Sequence, residues 1–165
     1  LKKGAKILDV GSGSGRDAFY FQKHGYQVTA LEPSKNLGRE IRKVFSGEIV
    51  CSDIQSYQQM ERYDGIWACA SLIHLQEEEI LCFFKKMDMY LSDNGIVYAS
   101  GKCGISTGEV ADGRFFLEFT EQLVEKILTV NKQLKLEQLW YTEDVSGRQG
   151  FRWLNVVLRL RRNNS

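Results

Sequence analysis

The stretch KILDVGSGSGRDAFYFQKHG, residues 6–25, decides how the rest of the chain is read. It opens on a short apolar run, Ile7, Leu8 and Val10, with Asp9 set inside it. Three glycines follow at every second position: Gly11, Gly13 and Gly15. A helix-like segment, Arg16 to His24, carries Ala18, Phe19, Phe21 and Gln22 on one stripe, and Gly25 stops it. Strand, glycine turn and helix together make the start of a βαβ unit. Open α/β sheets bind ligands at the carboxyl ends of their strands, where this loop lies. Glycines let the backbone approach a ligand closely, and the helix start offers unpaired N–H groups. The spacing argues against a diphosphate. A G-x-G-x-x-G fingerprint counted from Gly11 needs its third glycine at position 16, which is Arg16. A Walker loop needs a Gly-Lys-Ser/Thr ending, and none is present.

The same rhythm continues downstream. Tyr26 to Leu31 is a second strand, and Ser34 caps a helix reaching Phe45. Glu48 to Cys51 and Tyr63 to Ala70 are the third and fourth strands. Glu77, Glu78 and Glu79 open a helix with Ile80, Phe83, Phe84, Met87 and Leu91 on its buried face. The turn SDNG, residues 92–95, precedes a fifth strand, Ile96 to Ser100. A long polar loop, Lys102 to Arg114, follows, and Thr120 caps a helix to Asn131. Two β-like runs, Leu134 to Thr142 and Phe151 to Leu160, then pair as an antiparallel hairpin. Alternation of this kind predicts a doubly wound, mostly parallel sheet covered by helices on both faces.

Composition bounds the function. The 165 residues suit one domain, 1–165, and the formal net charge of +1 gives no broad attraction to nucleic acid. No apolar run approaches the roughly 20 residues that span a bilayer. Four cysteines without CxxC spacing, and two histidines, argue against a metal site. The absence of a secretion signal and the expectation of reduced thiols place the chain in the cytoplasm.

Three acids give the loop its companions. Glu32 ends the second strand, where a carboxylate accepts hydrogen bonds from both hydroxyls of a ribose. Asp53 follows the third strand, placed to accept from an adenine amino group, with Ile54 to pack on the base. Asp9 is placed to orient loop amides or to meet an ammonium group. Plainer roles stay open: Asp9 capping the turn, Glu32 as a surface acid, Asp53 as an N-cap.

ILDVGSGSGRD, VTALEPS, VCSDIQSY and YDGIWACASLIHL, in this order and spacing, resemble the class I S-adenosylmethionine-dependent methyltransferases. The resemblance implies a Rossmann-like, seven-stranded α/β sheet in the order 3-2-1-4-5-7-6 with strand 7 antiparallel. It implies S-adenosylmethionine as cofactor, lying across strands 1, 2 and 4. Carried over by position, Asp9, Gly11, Gly13 and Gly15 hold the methionine portion, Glu32 the ribose, and Asp53 with Ile54 the adenine. Ala70 and Ser71 border the sulfonium. The family commonly places helices before its first strand. Only five residues precede Lys6, so the domain is read as lacking that N-terminal lid.

The expected reaction transfers a methyl group to an O, N or S atom of a small-molecule acceptor. The fourth strand ends Cys69-Ala70-Ser71-Leu72 and lacks the D/N-P-P-Y/F/W stretch of amino-methylating nucleic-acid enzymes. It also lacks a Pro-Cys nucleophile, and Cys69 is read as a packed residue. His74, just past that strand, is the candidate general base; otherwise it caps the next helix. Lys102, Cys103 and Arg114 lie on the loop after the fifth strand, and Arg148, Arg152 and Trp153 lie in the hairpin. Arg114 and Arg152 are the candidates for holding an anionic acceptor. The alternatives are a nucleic-acid or protein methyltransferase, a catalytically idle cofactor-binding domain that contacts a partner, and an NAD-dependent oxidoreductase, which Arg16 disfavours. Oligomeric state is left open.

Overall fold

The computed structural model describes residues 1–58, 61–109, 113–144, 150 and 152–162. Seven strands form the main sheet: β1 (Lys6–Val10), β2 (Gln27–Leu31), β3 (Glu48–Val50), β4 (Tyr63–Cys69), β5 (Leu91–Cys103), β6 (Leu134–Glu143) and β7 (Arg152–Leu160). Among the described residues five helices accompany them: α1 (Arg16–Lys23), α2 (Lys35–Val44), α3 (Glu77–Lys85), α4 (Met87–Tyr90) and α5 (Glu121–Val130). The spatial order is 3-2-1-4-5-7-6, and β7 runs antiparallel to both neighbours. The expected Rossmann-like architecture is therefore the one observed.

Alternation along the strands sorts side chains into two cores. On β1, Ile7 faces one way and Leu8 and Val10 the other; on β4, Trp67 opposes Ile66 and Ala68. One core gathers Ile7, Val28 and Ala30 with Ala18 of α1 and Ile41 of α2. The other gathers Leu8, Ile66 and Val97 with Ile80 and Phe84 of α3 and Leu123 and Ile127 of α5. Residues two apart share a face of a strand, so each strand feeds both cores at once. Trp67 extends the first face across β4 and β5 by stacking on Tyr98, ring centroids 4.0 Å apart.

The helix starts are set by named donors and acceptors. Ser34 Oγ accepts from the Leu37 amide at 3.3 Å, and Thr120 Oγ1 accepts from the Leu123 amide at 3.2 Å. At α3, Glu79 reaches back to accept the Gln76 amide at 2.8 Å, so Gln76 and not His74 caps this helix. The helix expected to run to Leu91 breaks at Lys86 into α3 and α4.

A second departure lies in β5. The SDNG segment is no free turn but a bulge inside the strand: Tyr63 pairs with Leu91, and Gly65 pairs with Ile96. Asn94 takes positive φ (62°), as bulges and turns allow for Asn. The polar loop after β5 also has structure. Gly108–Glu109 pairs antiparallel with Phe115–Phe116, a two-rung ladder. The Leu117 amide donates to the Ile73 carbonyl and the Phe119 amide to the Lys102 carbonyl, each at 2.7 Å. These bonds fold the loop as a flap against the end of β4. Gly101 makes that closeness possible, because a Cβ there would lie 2.4 Å from Phe119 Cβ.

The outer strand β6 is exposed along most of its length and carries Lys135, Glu137 and Glu143. Charges on an edge strand discourage pairing with another chain. Arg159 forks onto Glu137 across β7–β6, and Arg162 pairs with Asp93. The C-terminal basic residues are therefore tied down as a strand end. Among the described residues no helix is long and apolar enough to cross a membrane.

Candidate functional site

The glycine loop leaves β1 at Val10 and turns under the end of β2. The Gly11 and Ser12 amides both donate to the Leu31 carbonyl, at 2.8 and 3.2 Å. Gly11 has φ 64°, and a Cβ there would lie 2.5 Å from Ser71 Cβ. Only glycine lets the loop after β1 touch the loop after β4. Gly13, at φ 58°, differs: a Cβ there would meet nothing within 4 Å. Its missing side chain leaves open space in front of the loop, where a ligand can sit against backbone. Gly15 is the N-cap of α1 and packs on Ile41.

Glu32 is buried, with only 5% of its surface exposed. Its two oxygens are split between two loops. Oε2 accepts the Gly13 amide and Oε1 accepts the Ser34 amide, both at 2.9 Å. The acid is thus no surface residue; it clamps the glycine loop to the start of α2. Each carboxylate oxygen keeps a further lone pair, so hydroxyl donors can still be received.

Asp9 lies beneath the loop, 3% exposed. Its Oδ2 has no hydrogen-bond partner, and neither does the buried Ser71 Oγ. Burial pushes the Asp9 carboxyl up to about 7, and the nearby Asp17 charge adds to the rise. The Ala18 amide and the Arg16 charge work the other way, and Glu32 raises it further. Burial alone would raise Asp17 too. Hydrogen bonds from Arg16 and Trp67 outweigh that and hold it below the usual carboxylate range. Arg16 grips Asp17 through Nε at 2.7 Å, and Trp67 Nε1 donates to it at 2.9 Å.

Ala70, immediately after β4, adopts φ 57° without being glycine. Such a residue costs roughly 1–3 kcal/mol and persists only where its surroundings hold it. Here Ser100 does so, since the Ala70 amide donates both to its carbonyl (3.1 Å) and to its Oγ (3.2 Å). The turn delivers Ser71 to Gly11. Neither Ser100 nor the Asp17–Trp67 contact is signalled by the sequence, because each depends on β4–β5 or β1–β4 register.

The third-strand acid is placed differently. Asp53 is exposed, and its Oδ1 accepts the Ser56 amide at 2.7 Å, which holds its carboxyl below the usual range. It therefore caps the turn at 54–56. Ile54 is half-buried against the larger core. Cys69 is half-buried, and burial raises its thiol, which suits packing and not attack. Among the described residues no group of His, Cys, Asp and Glu could hold a metal ion.

His74 sits in a short 3₁₀ turn, Leu72–His74, and its Nδ1 lies 3.1 Å from the Phe115 carbonyl. A carbonyl only accepts, so Nδ1 carries the proton and Nε2 of the neutral ring keeps a lone pair. The two arginine candidates are not brought together. Arg114 lies over the Phe116 ring, 5.3 Å from its centroid. Arg152 lies over Tyr141 at 4.4 Å, in a pocket shared with Glu118, Glu121 and Glu143. Arg148 and Phe151 lie outside the described residues.

The donor set fits S-adenosylmethionine, the ligand the sequence resemblance implies. Two buried polar atoms without partners, an open cradle at Gly13 and a buried acid at the end of β2 converge on the carboxyl ends of β1, β2 and β4. Asp9, Gly11 and Ser71 would meet the methionine end, and Glu32 the ribose.

A family model described as a methyltransferase domain matches residues 7–95, more than half of the chain. An uncharacterized methyltransferase of Alkaliphilus oremlandii is 26% identical over 152 residues, covering 88% of this chain and 65% of that protein. (S)-Coclaurine N-methyltransferase of Papaver somniferum is 24% identical over 111 residues, covering 62% of this chain and 31% of that protein. The chain thus spans about a third and about two-thirds of these relatives' lengths. Among solved structures, the Burkholderia thailandensis 1,6-didemethyltoxoflavin-N1-methyltransferase, bound to 1,6-didemethyltoxoflavin and S-adenosylhomocysteine, superposes with a TM-score of 0.80. It is 20% identical, and the match covers 97% of this chain and 72% of that one, a likeness of fold.

Proposed function

This chain belongs to the class I S-adenosylmethionine-dependent methyltransferases, and we propose that it methylates an O, N or S atom of a small molecule, nitrogen being favoured. The observation that carries this reading is the convergence of the glycine loop, the buried Glu32 and the partnerless Asp9 and Ser71 oxygens at one end of the sheet. The cofactor is S-adenosylmethionine, which supplies an activated methyl group on a sulfonium; the protein supplies alignment and excludes water. Asp9, Gly11, Gly13 and Gly15 hold the methionine portion, Glu32 the ribose, and Asp53 with Ile54 the adenine. Ala70 and Ser71 border the sulfonium.

The choice of a small acceptor is supported by the relatives, two of which are named for N-methylation of small molecules. It is also supported by the formal net charge of +1, which gives no broad attraction to nucleic acid. His74 is the base of this reading. Its Nδ1 is anchored on Phe115, and Nε2 accepts the proton that a protonated or neutral amine must shed.

Transfer of labelled methyl from S-adenosylmethionine to panels of small amines, phenols and thiols, with RNA and protein as separate arms, tests the proposal. Label is expected in a small amine. His74→Asn, which keeps a donor for the Phe115 carbonyl, is expected to lower kcat by about 10²-fold or more, the usual worth of a general base. Its affinity for S-adenosylhomocysteine should not change. Label confined to RNA or protein would overturn the small-molecule assignment, and an unchanged kcat would remove His74.

A further inference from the structure

β4 gives way at Ala70 to a backbone that alanine rarely adopts, with φ 57°. The next residue, Ser71, is back in the right-handed region and opens the 3₁₀ turn Leu72–His74. The far side of that turn is fixed, since Leu72 and Ile73 are buried. Its near side is fixed by Gly11, where a Cβ would lie 2.5 Å from Ser71 Cβ. The left-handed residue at 70 is the corner that joins β4 to both contacts.

Two acceptors on Ser100 hold the corner, and they differ in kind. The Ala70 amide donates to the Ser100 carbonyl at 3.1 Å, continuing the β4–β5 ladder past the Cys69–Ser100 pair. Any residue at position 100 would supply that acceptor. The same amide also donates to Ser100 Oγ at 3.2 Å, and this bond belongs to the side chain. The hydroxyl itself donates to Cys69 Sγ at 3.7 Å, which leaves its lone pairs for the amide. Ser100 cannot follow a shifting turn, because it is paired with Cys69 on one side and Asn155 on the other. Asn155 is itself locked: it accepts from the Tyr98 hydroxyl at 2.7 Å and donates to Thr142 Oγ1 at 3.1 Å. Ser100 is only 2% exposed, and a buried hydroxyl costs free energy unless it is bonded. The bond it makes is to the corner.

We infer that Ser100 is a positioning residue of the methyl-donor site: its hydroxyl keeps Ala70 left-handed, and the corner so held presents Ser71 to the cofactor. The inference rests on the methyltransferase reading and adds to it a residue that acts through the turn and not by contact. A binding residue keeps its geometry only when the shell behind it is fixed. His74 ends the same 3₁₀ turn, so the donor side and the base side share one support. Glycine at 70 would take the left-handed conformation without steric cost. The hydroxyl is therefore needed because position 70 is alanine.

A double-mutant cycle on Ser100→Ala and Ala70→Gly separates the outcomes, with S-adenosylhomocysteine affinity read by calorimetry and stability by urea denaturation. Ser100→Ala alone is expected to weaken binding about fivefold or more, the worth of one neutral hydrogen bond. In a chain already carrying Ala70→Gly, the same change should shift affinity by less than about twofold, because glycine needs no second hold. The loss of stability caused by Ser100→Ala should likewise be smaller in the glycine background. Wild-type affinity in Ser100→Ala would overturn the inference. Equal weakening in the two backgrounds would also overturn it, since Ser100 would then act by packing and not through the corner. A wild type that binds no S-adenosylhomocysteine would instead strike the reading on which the inference rests.

Discussion

Glu32→Ala is expected to weaken S-adenosylhomocysteine binding by about two orders of magnitude or more. The carboxylate accepts the Gly13 and Ser34 amides in the ligand-free chain and is assigned to the ribose hydroxyls. A hydrogen bond to a charged group is worth about 1.5–3 kcal/mol, and each 1.4 kcal/mol is about tenfold in affinity. Truncation therefore removes ribose contacts and also the clamp that shapes the loop. The same change is expected to lower stability by about 1–3 kcal/mol, since two amides beneath the site lose their acceptor. Glu32→Gln separates the two effects. An amide oxygen replaces one acceptor, but the NH₂ group then faces a donor, either Gly13 or Ser34. It should keep most of the fold and still lose at least tenfold in affinity. Calorimetry for binding and urea denaturation for stability measure both, and equal binding by wild type and Glu32→Ala would remove the ribose assignment.

Asp9→Asn is expected to stabilise the ligand-free protein while weakening the cofactor complex. The native carboxyl titrates at about 7, against an ordinary value of 3.8. The folded state thus holds a proton that the unfolded chain releases earlier. Its stability falls as pH rises from about 4 to about 7 and then levels off. The total fall is roughly 4 kcal/mol, since each tenfold difference in proton affinity between the two states is worth about 1.36 kcal/mol. Asp9→Asn has no such decline and should exceed the wild type in stability at pH 8. Binding runs the other way. A cationic ammonium favours the ionised carboxylate, so cofactor affinity should rise with pH up to about 7 and flatten above it. The charges facing Asp9 are Asp17 and Arg16 from α1 and Glu32 from the end of β2, and none of them reverses that sign. Asp9→Asn should bind at least tenfold more weakly at pH 8 and show no rise. A wild type whose stability is flat between pH 4 and 7 would contradict the assignment. A buried charge kept at the expense of stability is a familiar mark of a binding site.

The alternation of strands and helices was legible because it depends on local signals, whereas the order of the strands was legible only through the family resemblance. Apolar runs at Ile7–Val10, Val28–Leu31 and Ile66–Ala68 alternate with capped helical segments, and right-handed crossovers leave few arrangements. The position of the glycine loop after β1 and of Glu32 at the end of β2 was legible for the same reason: both lie within one βαβ unit. What escaped depends on residues far apart in the chain. SDNG has the composition of a free turn, yet pairing of Leu91 with Tyr63 draws it into β5 as a bulge. The segment after Gly101 is polar and glycine-bearing, which hides a ladder fixed by Ile73 and Lys102 carbonyls. Arg114 and Arg152 look equivalent as isolated cations. The fold places one on Phe116 and the other among glutamates, a distinction only register decides. Ala70 carries no sign of its positive φ, because Ser100, thirty residues on, imposes it.

The most direct test of the cofactor assignment is a calorimetric titration of the wild-type chain with S-adenosylmethionine, S-adenosylhomocysteine and NAD in parallel. Saturable one-to-one binding of both sulfur ligands and none of NAD is expected, the loop being built without the third glycine of a diphosphate site. Binding of NAD with no binding of either sulfur ligand would contradict it.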